Sequence, residues 1–106
     1  MRLISTLAVL MMSAQASFAD NLNRQVTIVN DTDFVMMYFY ASNRDSSSWE
    51  EDILGDDTIP AHSEMLINID DGTGYCIYDF KAVFDDGDEV EERGVNVCET
   101  GRWTVN

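Results

Sequence analysis

"YCIYDFKAVFDDGDEVEERGVNVC" (residues 75–98) decides the fold. It holds two runs rich in aromatic and β-branched residues about an Asp-Gly turn, with a cysteine near each end. Residues 75–84 and 89–98 read as strands and "DDGD" (85–88) as a tight hairpin turn. A three-residue loop Asp86-Gly87-Asp88 pairs residues whose numbers sum to 174, setting Cys76 opposite Cys98, Phe84 opposite Val90, Phe80 opposite Gly94 and Ile77 opposite Val97. A two-residue loop misses the cysteine pair by one. The longer loop is therefore preferred, and it puts Cys76, Tyr78, Phe80, Phe84, Val90 and Cys98 on one face.

Outward from this hairpin the same grammar repeats. "SEMLINID" (63–70) alternates Met65, Ile67 and Ile69 inward with Glu64, Leu66 and Asn68 outward, a half-buried strand. "DDGTG" (70–74) and "DDTIPAH" (56–62) are turns, and "RWTVN" (102–106) is a short last strand. "RQVTIVN" (24–30) is a strand and "NDTD" (30–33) a turn whose side chains can bond their own backbone. "FVMMYFYAS" (34–42) is apolar almost throughout and reads as a central strand buried on both faces, a buried helix being the alternative. No strand–helix–strand rhythm and no repeat occurs. The expected fold is all-β: a small antiparallel β-sandwich or barrel of about six strands, with one short helical turn and one disulfide.

That helical turn is expected in "SSSWEEDILGDD" (46–57). Ser48 and Glu51 form an S-x-x-E capping box, and Glu50, Glu51 and Asp52 sit where the helix dipole favours acids. Trp49, Ile53 and Leu54 share a face that would clamp an open edge or end of the sheet. Gly55 stands where a C-cap needs a positive φ. Asp56 and Asp57 are required by no cap, so with Trp49 and Asp52 they form the candidate interaction surface.

The first nineteen residues read as an export signal. Arg2 precedes an apolar run, and "SFA" (17–19) offers a cut ahead of Asp20. The run is too short to span a bilayer, no later segment is long enough to try, and no cysteine for lipid attachment stands at the cut. The expectation is a periplasmic or secreted protein without membrane insertion. Removing 19 of the 106 residues leaves 87, a single domain over residues 20–106. In an oxidising compartment Cys76 and Cys98 are expected to bridge.

The mature chain keeps 20 acids against 5 bases, a formal charge of −15. Nucleic acid and anionic membranes would repel it, and a cationic partner would suit it. Calcium is the one cofactor this composition invites. Its candidate ligands are Asp70, Asp71, Asp85 and Asp86, which converge only if their two turns meet at one end of the sandwich; "EEDILGDD" (50–57) is a further acid run. None has EF-hand spacing. The only histidine, His62, stands alone after Pro60, and there is no nucleophile-elbow or phosphate-loop motif. One His and two bridged Cys cannot assemble a zinc site. Paired carboxylates can be picked from so many acids that they carry no signal for a glycosidase. The alternatives to a non-catalytic binding module are a calcium-stabilised domain and, last, a small hydrolase.

Several segments together resemble a family of small exported bacterial proteins without an assigned function. They are "IVNDTDFVMMYFYAS", "SSSWEEDILGDDTIPAHSEMLINI" and "CIYDFKAVFDDGDEVEERGVNVCE". The family pattern has an N-x-T opening, a Tyr-x-x-Ser strand, a W-x-x-D-x-LG turn, a C-x-(Y/W)-D-(L/F) strand and an N-(V/L)-C ending, and the resemblance covers about Val26 to Trp103; the chain departs from it in the Tyr-x-x-Ser strand, where Phe39 stands three before Ser42. Some members of the family carry the name argininosuccinate lyase. That enzyme is a large helical tetramer with a serine loop this chain lacks, so the resemblance implies an exported β domain and no catalytic residues.

Overall fold

The computed structural model describes residues 22–106; the export-signal reading of residues 1–19 lies outside them. Six strands form in chain order: β1 (Gln25–Asn30), β2 (Met36–Asn43), β3 (Ser63–Asn68), β4 (Ile77–Phe84), β5 (Glu89–Asn96) and β6 (Arg102–Val105). They make two three-stranded sheets, β3-β1-β6 and β2-β4-β5. The all-β expectation holds, with the core between the sheets. Alternation puts Tyr78, Phe80, Ala82 and Phe84 of β4 inward, all buried. Val26 and Ile28 answer from β1 and Ile67 from β3. At the centre Phe39 and Phe80 meet edge-on with centroids 5.1 Å apart, and Trp103 of β6 closes the trio at 5.1 Å from Phe80. Each such aromatic pair adds about 1 kcal/mol beyond its buried area.

Four expectations are corrected. First, β6 runs parallel to β1, pairing Ile28 with Trp103, so the sheets are antiparallel-rich rather than wholly antiparallel. Trp103 reaches Phe39 and Phe80 from across the core, so its strand must belong to the opposite sheet.

Second, β2 is an edge strand, not a central one, and only one face is buried. A bulge between Met36 and Tyr38 shifts its alternation, so Met36 and Phe39 point inward while Tyr38 is 44% exposed.

Third, the hairpin register is not uniform. The Phe84 amide bonds the Asp88 carbonyl at 2.9 Å, so the loop is Asp85-Asp86-Gly87, with Gly87 at φ 92°. Pairs near the turn, such as Ala82 with Val90, therefore sum to 172. A bulge at Arg93 and Gly94 opposite Asp79 raises this to 173 for Tyr78 with Val95. The Val97 amide bonds the Cys76 carbonyl at 2.8 Å, and Cys98 lies one residue further, in a turn. Two extra residues thus accumulate between turn and cysteines. The Cys76–Cys98 disulfide forms as expected, with Cα atoms 5.3 Å apart, but beyond the ladder.

Fourth, no helix is present among the described residues, and residues 49–54 do not form the capping box. Ser48 uses its carbonyl to accept from Ser42 and Ser46, and Glu50 takes a positive φ of 63°, which breaks any helical turn. Three β-compatible contacts win instead. The Ile53 amide bonds the Phe39 carbonyl at 2.8 Å, the Phe39 amide bonds Asp52 Oδ1 at 2.8 Å, and Met36 and Ile59 exchange both backbone bonds. The segment lies along β2 and covers its open edge, which would otherwise offer unpaired backbone to other chains. The clamping role read for Ile53 and Leu54 survives: Leu54 is buried and Ile53 packs on the core.

Asp52 holds this cover in place, because Oδ1 also accepts from the Leu54 amide at 3.1 Å. Asp52→Ala strands both amides and is expected to cost about 1–3 kcal/mol in urea unfolding. Asp52→Asn, which keeps an acceptor oxygen, should recover most of the loss. Equal stability of Asp52→Ala and wild type would refute this role.

Candidate functional site

One candidate hollow lies beside Trp49. The chain leaves β2 at Asn43, turns through Ser46–Ser48 and lays Trp49 half-buried at the level of Ser42. From below, outward-pointing Lys81 of β4 brings Nζ to 5.8 Å from the indole centroid, and Arg93 at the β5 bulge brings its guanidinium carbon to 5.2 Å. Lys81 also lies 5.9 Å from the Tyr40 ring. Cations over aromatic faces gain about 0.5–1 kcal/mol each at such sites. Beside Trp49 is a hollow of about 100 Å³ lined by Ser42, Ser46, Ser47, Ser48, Asp79 and Arg93.

The polar groups of this hollow are mostly committed. Asp79 accepts from the Gly94 amide at 3.0 Å and from Arg93 Nη1 at 3.1 Å, which fixes the β5 bulge. Arg93 Nη2 reaches Glu91 at 3.2 Å, and Lys81 lies 3.4 Å from Glu89. Ser42 and Ser46 both donate to the Ser48 carbonyl. The arrangement presents an aromatic shelf with hydroxyls, suited to holding a ligand. His62, adjoining the start of β3, lies at the other end of the sandwich from these serines.

The four residues read as one interaction surface are not gathered into one. Trp49 sits level with Ser42, Asp52 turns in under the β2 edge, and Asp56 and Asp57 lie exposed near the Met36–Ile59 bridge. The chain lies along β2 there, so they are strung down the strand. Lys81 and Arg93 as partners of Trp49 were missed. The outward place of Lys81 was readable from the alternation of β4; the Arg93 position depends on the bulge, which was not.

The four calcium candidates are also separated. Asp70 and Asp71 precede β4, whereas Asp85 and Asp86 follow it, so the eight-residue strand holds them about 25 Å apart. Each pair serves its own turn. Asp70 accepts from the Gly72 amide and Asp86 from the Asp88 amide. Asp71 accepts from Thr73, from Asn43 and from the Tyr78 hydroxyl at 2.7 Å. Burial opposes its charge, but these bonds outweigh it and hold the carboxyl down at about 2. Burial and the same carboxylate push Tyr78 up to about 12. Among the described residues no group of three or more His, Cys, Asp and Glu gathers in metal-binding geometry.

His62 is less isolated than its sequence position implied. Nε2 lies 2.8 Å from Asp33 and Nδ1 3.1 Å from Asp31, and these two carboxylates raise its pKa. The two nitrogens face different acids, so this is an ionic clasp between two turns. A His whose pKa rises on folding stabilises fully below its unfolded value near 6.5, and the benefit fades as pH climbs through the raised value. His62→Ala should therefore lower the melting temperature at pH 5, with the gap shrinking as pH climbs through the raised value. A pH-independent gap would contradict the clasp.

No family model, curated protein or solved structure matches the chain. No helix of the described residues is long and apolar enough to cross a membrane.

Proposed function

We propose that the chain is an exported, non-catalytic binding module whose partner is a cationic protein. The observation that carries this is the unequal fate of its charges. Arg24 is buried, Lys81 and Arg93 are tied to acids and to Trp49, and Arg102 binds Glu64 at 2.5 Å, which leaves Arg44 as the exposed cation outside these pairs among the described residues. Asp56, Asp57, Asp85, Asp86, Asp88 and Glu99 stand exposed with no cation beside them among the described residues. The surface thus offers negative potential and keeps few cations of its own, which steers basic partners and repels other acidic molecules. The disulfide suits an oxidising compartment, periplasmic or extracellular.

A basic peptide and an acidic peptide of equal length, titrated calorimetrically at physiological ionic strength, test this. The basic one should bind and weaken steeply as salt rises. Failure of any basic probe to bind at that ionic strength would overturn the reading.

A further inference from the structure

We infer that the cationic partner docks at one end of the sandwich, by inserting a single apolar side chain flanked by Lys or Arg. This rests on the proposed function and places its site. The β1–β2 turn, the β4–β5 turn and the end of β6 meet there, because Asn30 pairs with Val105 and Met36 with Phe84. Between them lies a hollow of about 100 Å³ lined by Phe34, Phe84, Val90 and Val105 and rimmed by Asp86 and Asp88. The hollow lies away from Trp49, which packs over Lys81 toward the other end of β2.

Phe34 is 46% exposed although its backbone is firmly held. Its carbonyl accepts from Asn30 Nδ2 at 2.7 Å, and its amide donates to Thr32 Oγ1 at 3.1 Å. Asn30 is itself fully buried. The ring is therefore displayed by an ordered turn, and little entropy is lost in fixing it on binding. An aromatic beside an apolar hollow with a polar rim is the arrangement that concentrates binding energy in interfaces.

Charge selects the occupant. Asp31, Asp33 and Asp85 share this end with Asp86 and Asp88, and the cation nearest to hand, His62, is clasped by Asp31 and Asp33. A second copy of the chain would bring like charge against like. An apolar side chain with basic neighbours satisfies both hollow and rim.

Two probe peptides decide it: Lys-Arg-Leu-Arg-Lys with blocked ends, and the same charges with Ser in place of Leu. The Leu peptide should bind roughly tenfold tighter, the gain from burying one aliphatic side chain. Phe34→Ser should abolish that difference, whereas Tyr38→Ser, at an exposed aromatic on the outer sheet face, should keep it. Asp86→Asn with Asp88→Asn should weaken both peptides and flatten their salt dependence. Equal binding of both peptides, insensitive to Phe34→Ser, would overturn this docking site and leave the cationic-partner reading standing. Binding of neither would end both. Dimerisation abolished by Phe34→Ser in sedimentation would also overturn it, by making the occupant a second copy.

Discussion

Asn30→Asp is expected to cost about 3–5 kcal/mol at neutral pH, the range for an unpaired buried charge. Asn30 is fully buried at the end of β1, and one side chain satisfies two turns at once. Nδ2, with two hydrogens, lies among three carbonyls, those of Phe34 at 2.7 Å, Ile59 at 2.9 Å and Pro60 at 3.1 Å. Oδ1 accepts from the Thr32 amide at 3.2 Å and from its hydroxyl at 2.6 Å. A carboxylate there keeps the Thr32 bonds but aims negative charge at three carbonyl oxygens. Asn30→Ala, which removes donor and acceptor without adding charge, should cost about 2–4 kcal/mol. The two variants separate by pH. The Asn30→Asp carboxyl has its pKa raised on folding, so its ionic penalty is absent below about 4 and grows as pH rises. Urea midpoints at pH 4 and 7 should therefore diverge for Asn30→Asp and stay parallel to wild type for Asn30→Ala. An Asn30→Asp variant as stable as wild type at pH 7 would disprove the clamp.

Strand periodicity was legible because small sandwiches bury one face of each strand. Met65, Ile67, Tyr78, Phe80 and Phe84 could be turned toward the core from alternation alone, and the cysteine pair from spacing and compartment. Features depending on one inserted residue were not legible. The bulge at Gly94 needs its φ of 74° and the Asp79 side chain bonding its amide, and neither has a period. The straight register nevertheless matched Cys76 with Cys98, because bulge and turn together add the two residues that the wrong loop assignment had assumed. "SWEEDIL" satisfied helix capping rules locally, yet the exposed β2 edge outbid a single helical turn, since tertiary hydrogen bonds override weak propensity. Phe34 was read into a buried strand, and only the Asn30–Thr32 turn shows it held outward. Arg24 escaped notice entirely. It is buried, with Nε donating to the Tyr75 carbonyl at 2.8 Å and Nη2 to the Gly74 carbonyl at 3.0 Å.

Replacing both cysteines, Cys76→Ser with Cys98→Ser, should remove about 3 kcal/mol, the chain-entropy value for a loop closed over a separation of 22 residues. In a domain this small that is a large share of net stability. The bridge joins the residue before β4 to the turn after β5, where the chain leaves one sheet to supply β6 to the other. That crossing delivers Trp103 to the aromatic centre and seats the Thr27 amide on the Gly101 carbonyl at 3.0 Å. Arg24 pins the segment before Cys76 from within, with Nη2 3.8 Å from the Cys76 sulfur. The folded ends are thus held near each other by contacts that do not need the sulfurs. The Ser pair should therefore still fold, with its loss arising in the unfolded chain, which regains the freedom that the bridge denied it. The urea midpoint should fall while the denaturant slope rises, because an uncrosslinked unfolded chain exposes more surface. An unchanged midpoint would mean that Arg24 and the Val97–Cys76 backbone bond already supply the constraint, and that the bridge is thermodynamically idle.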